Sequence, residues 1–126
     1  MANPNIVNVS TITAKSAGNI PANTTETEFI VNAASSGKVL KINQIVAANI
    51  DGTTSIGATV SLCTNAAAPS ASNTFAIAPN VAIPARASMM CVDKSTCVYL
   101  EENMSIRITS AVASKISFTA SYEEIS

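Results

Sequence analysis

Apolar and polar residues alternate with a period of two along most of the chain, the signature of half-buried β-strands. The clearest run is 38–50, KVLKINQIVAANI. It places Leu40, Ile42, Val46, Ala48 and Ile50 on one face and Lys41, Asn43 and Asn49 on the other, and Gln44 alone interrupts the apolar face. Asp51-Gly52 follows, a strong hairpin signal. The next run, 56–63, turns Ala58, Val60 and Leu62 inward and Thr59 and Ser61 outward. The two runs read as one hairpin. A second hairpin is expected between 104–109, with Met104, Ile106 and Ile108 on one face, and 115–123, with Ile116, Phe118, Ala120 and Tyr122 on one face. Phe118 and Tyr122 are expected at or near the core.

Weaker strands fill the remainder. Residues 5–14 and 25–32 carry β-branched and polar residues by turns, the second with Phe29 and Val31 on one face. Pro79 confines 75–83 to a sheet edge or a bulge, because proline has no N–H for the ladder. Two short strands, 87–92 and 97–100, are split at Asp93-Lys94-Ser95, while Ser35-Ser36-Gly37 and Pro84-Ala85 mark turns. The longest break, 64–74 (TNAAAPSASNT), reads as a mobile or interface loop. No stretch shows a convincing helical period. About eight short strands at this spacing predict an all-β fold, a single β-sandwich over 1–126 with jelly-roll topology preferred to immunoglobulin-like. Residues 1–10 are expected to act as an N-terminal arm that orders on assembly.

Composition changes the picture in one respect. Hydrophobic residues make up 48% of the 126 residues, but aromatics are 4% and charged residues only 12%. The core is therefore built from small aliphatic side chains and the surface from Ser, Thr and Asn. A surface with so little charge is weakly protected against self-association, which suits a protein packed against neighbours. The net charge is −1 and the basic residues are scattered, so no direct nucleic-acid partner is expected. The N-terminal MANPNIVNVS lacks the pattern of a secretory signal, and no apolar run is long enough for a membrane span. An odd set of three cysteines, Cys63, Cys91 and Cys97, reads as free thiols. The triplets opened by Asn8, Asn23 and Asn103 read as chance glycosylation matches.

The search for chemistry finds no complete constellation. The absence of histidine removes the commonest general base and metal ligand. Glu101-Glu102 and Glu123-Glu124 are adjacent pairs, and neighbours on a strand point to opposite faces. Glu101, Glu102 and Asp93 are the one conceivable calcium set, read in preference as a solvated turn. Ser35-Ser36-Gly37-Lys38 has a Ser-x-x-Lys spacing but lies between strands, where that chemistry requires a helix start. The expectation is no enzyme, no catalytic, cofactor-binding or metal residues, and no cofactor.

The order of landmarks carries a resemblance: Ser36-Gly37-Lys38 before a long strand ending at Asn49, then Ile83-Pro84-Ala85, Asp93-Lys94, Val98-Tyr99-Leu100-Glu101-Glu102-Asn103 and finally Thr119-Ala120-Ser121-Tyr122-Glu123-Glu124-Ile125. Over residues 36–125 this resembles the small virion structural proteins of tailed bacteriophages, particularly those of marine cyanobacteria. Two turns depart from that pattern: Asn103-Met104 stands where Gly-Asp is usual, and Ser35-Ser36 where Pro-Ala is common. The resemblance implies a capsid decoration or cement protein in the virion, a homo-oligomer, with a trimer expected, contacting the major capsid protein. A tail- or fibre-associated receptor- or glycan-binding module is the neighbouring implication.

Overall fold

The computed structural model describes residues 9–126. They form nine strands: β1 (Ile12–Asn19), β2 (Thr27–Asn32), β3 (Val39–Asn49), β4 (Ile56–Cys63), β5 (Thr74–Ile83), β6 (Ser88–Val92), β7 (Val98–Leu100), β8 (Met104–Ser110) and β9 (Ile116–Ile125). One sheet, sheet A, runs β1-β9-β3-β6, with β7 also on β3; the other, sheet B, runs β2-β8-β4-β5. Strands β6 and β7 both lie antiparallel to β3, one against Ile45–Ala48 and the other against Leu40–Ile42. They are two halves of one strand, interrupted by a 3-10 turn at Lys94–Thr96 whose cap is the Asp93 carboxylate, hydrogen bonded to the amides of Ser95 and Thr96. The expected break at Asp93-Lys94-Ser95 is this turn.

The pairing is nested. β1 pairs β9, β2 pairs β8, β3 pairs β6 and β7, and β4 pairs β5. β9 then closes onto β3, and β8 onto β4. A long four-layer hairpin rolled into two sheets is a jelly roll, so the preferred topology is the observed one. Between the sheets lies a core of small aliphatic side chains around Phe118, whose ring centroid is 6.4 Å from that of Phe29.

Both expected hairpins are corrected. β3 belongs to sheet A and β4 to sheet B, and likewise β9 and β8 are in opposite sheets. The segments 50–55 and 111–115 reverse the chain across the sandwich instead of along a sheet edge. The strands they join bury their apolar faces against each other, Ile45 and Ala47 from one layer and Ala58 and Val60 from the other. Asp51 organises the first crossing, its carboxylate accepting from the amides of Thr53 and Thr54.

Register shifts correct the expected faces. In β3 the pairing with β9 slips between Ile42 and Gln44, and that with β6 between Ile45 and Val46. One extra residue moves every later side chain to the other face. Leu40 and Ile42 are buried as expected, but beyond the slip it is Ile45, Ala47 and Asn49 that turn inward, and Val46 and Ala48 that do not. In β2 a slip between Glu28 and Ile30 leaves Ile30 and Asn32 buried and Val31 exposed, while Phe29 still packs on the core.

The first strand lies later than expected. Val9–Thr11 are not strand, β1 runs on to Asn19, and the rest of the expected strand and arm lies outside the described residues. β5 is an edge strand with two register shifts around Pro79, as the proline demanded. The 64–74 loop is tied down: Asn103 accepts from the Ala67 amide and donates to Asn65, while Asn73 accepts from the Ser70 amide and donates to the Ala68 carbonyl.

Gly57 of β4 sits beneath the Asn80 side chain, which a Cβ on residue 57 would overlap. Asn80 itself has φ 46°. Gly57→Ala is expected to lose about 1 kcal/mol. Adding Asn80→Gly should restore most of that loss, since glycine removes the obstructing amide and accepts positive φ. A double-mutant cycle by urea denaturation reads this directly.

Candidate interaction surface

The outward face of sheet A is the most unusual surface in the fold. Along β9, Ser117, Thr119 and Ser121 alternate with buried Ile116, Phe118 and Ala120. The register sets Ser121 between Ser16 of β1 and Gln44 of β3, and Thr119 between Gly18 and Val46. Val46 continues the row to Met90 of β6, and Ala48 pairs with both Ser117 and Ser88. The centre of this face therefore carries hydroxyl, amide and small apolar side chains without a single charge. Gln44, at the β3 bulge, is exposed in the middle of it. Two open depressions meet there. One of about 510 Å³ is lined by Asn43, Gln44, Met90, Asp93, Lys94 and Ser121. The other, of about 330 Å³, shares Gln44 and Ser121 and adds Ser16, Ala17, Val46, Thr119 and Ala120.

Charge lies around this centre, in the lining of the larger depression through Asp93 and Lys94 and in ion pairs at the rims. Glu124 bridges Lys38 at 2.9 Å and Lys15 at 3.2 Å, while Glu123 lies 4.0 Å from Lys41. On sheet B, Arg107 is held by Glu26 at 2.7 Å, with Glu28 at 4.0 Å. Hydrogen bonds and charge from Lys38, then Lys15, hold the Glu124 carboxyl below the usual range. The Ser95 hydroxyl and amide do the same for Asp93. The amides of Thr53 and Thr54 bring Asp51 down to about 2. All three carboxyls are more acidic folded than unfolded, so each adds stability above the ordinary carboxylate range and loses it as pH falls through its folded value. The melting temperature is expected to change little between pH 7 and 5 and to fall from about pH 4 toward 2. In Asp51→Asn, thermal melts across this range should show a shallower acid decline.

The residues considered for chemistry are spent on structure. The Asp93 carboxylate caps its turn, and Glu102 accepts from the Gly37 amide at 2.7 Å. Among the described residues no three His, Cys, Asp or Glu side chains gather to hold a metal ion. Ser36 donates to Asn32, and the Lys38 amine is engaged by Glu124. The Ser-x-x-Lys spacing thus belongs to a turn, with Ser35 and Gly37 both at positive φ. Cys63, Cys91 and Cys97 are free, Cys63 is buried, and burial pushes the Cys91 thiol up, away from the reactive thiolate. Among the described residues no helix is long and apolar enough to cross a membrane.

Two residues outside the sequence-based search carry the most polar weight. Asn32 ends β2 and donates to the carbonyls of Lys38 and Leu100; Asn49 ends β3 and donates to those of Thr54 and Ile83. Each is 2% exposed and each ties its own sheet to the other. Each is an asparagine at a strand end, brought to the buried face by an upstream register slip.

The class that this topology defines is the jelly-roll β-sandwich. No protein-family model and no curated protein matches the chain. Among solved structures it is similar to chains of the T13 IBDV viral particle (8% identity, TM-score 0.43, 93% of this chain and 31% of that one). It is also similar to chains of infectious bursal disease virus strain Gx (8% identity, TM-score 0.40, 93% and 32%) and strain Gt (12% identity, TM-score 0.36, 93% and 31%). The chain spans about a third of the length of these chains.

Proposed function

We propose that this chain is a structural protein of a virus particle, specifically a decoration or cement protein of a tailed bacteriophage capsid, and that it has no catalytic activity. In this reading it assembles as a homotrimer and stiffens the shell by bridging major capsid protein subunits. The observation that carries the reading is the uncharged centre of the outer face of sheet A. A face of Ser, Thr, Ala and Gln can be covered by a neighbour without stranding a buried charge, which would cost several kcal/mol (about 3–5). The order of landmarks over residues 36–125 supports the phage assignment, and jelly rolls are a recurrent solution for capsid domains.

The test is co-sedimentation with particles stripped of accessory proteins. Binding at a fixed stoichiometry is expected, with reduced occupancy after Thr119→Lys and Val46→Lys, which place charge in the centre of the face. Unchanged occupancy in both variants overturns the assignment of this face. Mass measurement of the free chain decides the trimer.

A second reading, a receptor- or glycan-binding module on a tail or fibre, has one observation in its favour. The larger depression is lined by the Asn43 and Gln44 amides, the Ser121 hydroxyl, Met90, Asp93 and Lys94, and the buried Asn43 Oδ1 has no hydrogen-bond partner among the described residues. Selective binding on a glycan array, lost in Asn43→Ala, would promote it over the first.

A further inference from the structure

We infer that the free edge of β1 pairs with β1 of a second copy, in an antiparallel register centred on Ser16, and joins two sandwiches through a continuous sheet A.

An edge strand presents unpaired N–H and C=O groups to any passing strand, and sheet proteins guard their edges with prolines, bulges, breaks or charges. The other three edges of this sandwich are guarded. β5 carries Pro79, two register shifts and Asn80 at positive φ. The edge formed by β6 and β7 is broken by the 3-10 turn. β2 has six residues and a register shift. β1 has no proline, no bulge and no break, and carries one charged residue. Its eight residues pair β9 without a slip, and among the described residues no strand pairs with its other side. It is also the one described strand with no buried residue. That charge, Lys15, is drawn back toward β9 by Glu124 at 3.2 Å, a carboxylate it shares with Lys38, and it keeps enough charge to bias the register.

The occupant follows from the strand's own chemistry. Ile12 at its start is 56% exposed, and Ile20 immediately after its end is 48% exposed. In an antiparallel pair centred on Ser16, residue numbers across the contact sum to a constant, so Ile12 of one copy meets Ile20 of the other. Both ends of the contact then gain an apolar cross-strand pair. The same register sets Lys15 opposite Ala17. Centring the pair one residue earlier would set the two Lys15 side chains face to face, which like charge disfavours. The two-fold contact is self-complementary, as isologous interfaces must be, and spans about 27 Å at ~3.4 Å per residue.

This inference goes beyond the virion reading and does not depend on it. Analytical ultracentrifugation of the purified full chain tests it against Ser16→Lys, which places two cations at the two-fold centre. The wild-type chain is expected at twice the mass of the variant, a dimer against a monomer or, where the trimer forms, a hexamer against a trimer, with unchanged circular dichroism and melting of the variant reporting an intact fold. In a Cys91→Ser, Cys97→Ser background, Ser16→Cys should form an intermolecular disulfide under mild oxidation, and Lys15→Cys should not. Equal masses for wild type and Ser16→Lys, or equal crosslinking at both positions, overturns the proposal. The virion reading fails separately, through loss of particle binding in a chain that still doubles.

Discussion

Phe118→Ala is expected to remove about 3–5 kcal/mol of stability, a large part of the ~5–15 kcal/mol that a domain of this kind holds. The ring is fully buried at the centre of the sandwich and packs against Phe29. The chain has only three Phe and two Tyr residues and no Trp, and the side chains around the ring are chiefly Ile, Val, Leu and Ala. Branched aliphatics held in strands have little freedom to swing into a ring-sized void, so the cavity term stays nearly whole. Phe118→Leu, which leaves most of the volume filled, is expected to lose about 1–1.5 kcal/mol. Urea denaturation of the two variants checks both figures. A loss below about 1 kcal/mol for Phe118→Ala would mean that the layers close over the site.

The second large effect is expected at Asn49. Its side chain donates to the Thr54 and Ile83 carbonyls at 2.8 Å each and accepts from the Asp51 amide at 2.9 Å. Asn49→Ala strips a partner from the buried Ile83 carbonyl and from the part-buried Thr54 carbonyl and Asp51 amide, at a cost of about 2–3 kcal/mol. Asn49→Asp is the sharper experiment. It keeps the shape and the acceptor but cannot donate, and its charge faces two carbonyl oxygens. Thermal melts should therefore rank it no better than the alanine variant at pH 7, and improved at low pH where the carboxyl is protonated. A stable Asn49→Asp at neutral pH would show that the two donated bonds contribute little.

The strands themselves were legible in the alternation, because a half-buried strand must alternate wherever it sits. Pro79 placed β5 at an edge for the same local reason: the missing N–H is a property of one residue. Pairing was not legible. Asp51-Gly52 reports that the chain reverses, and a reversal along one sheet looks the same in sequence as a reversal from one sheet to the other. The alternation on either side of that turn cannot separate these cases, since the face that β3 buries is apolar whether β4 lies beside it or beneath it. The phase beyond Gln44 is hidden for a related reason. A bulge adds one residue without leaving the strand, so Gln44 looked like a blemish on the apolar face when it marked the slip. Unbroken alternation therefore assigns Asn49 to the outward polar residues, although it is buried. The candidate surface suffered likewise: its constituents were visible as an excess of Ser, Thr and Ala, but their gathering onto one face depends on the strand order β1-β9-β3-β6.

That order has a consequence for how the protein comes into being. β9 lies between β1 and β3 and is the pairing partner of both. Until residues 116–125 have been synthesised, β1 has nothing to pair with and one side of β3 stays open, so sheet A cannot be completed from its N-terminal end. Folding must wait for contacts between the two extremes of the described chain, and such distant closure places all-β proteins among the slow folders, on the scale of milliseconds to seconds. During that wait the apolar strands β3 and β4 are made but uncovered. A nascent chain of this kind is a natural client for holding chaperones, and its yield should depend more on the rate of synthesis than on the stability of the finished sandwich.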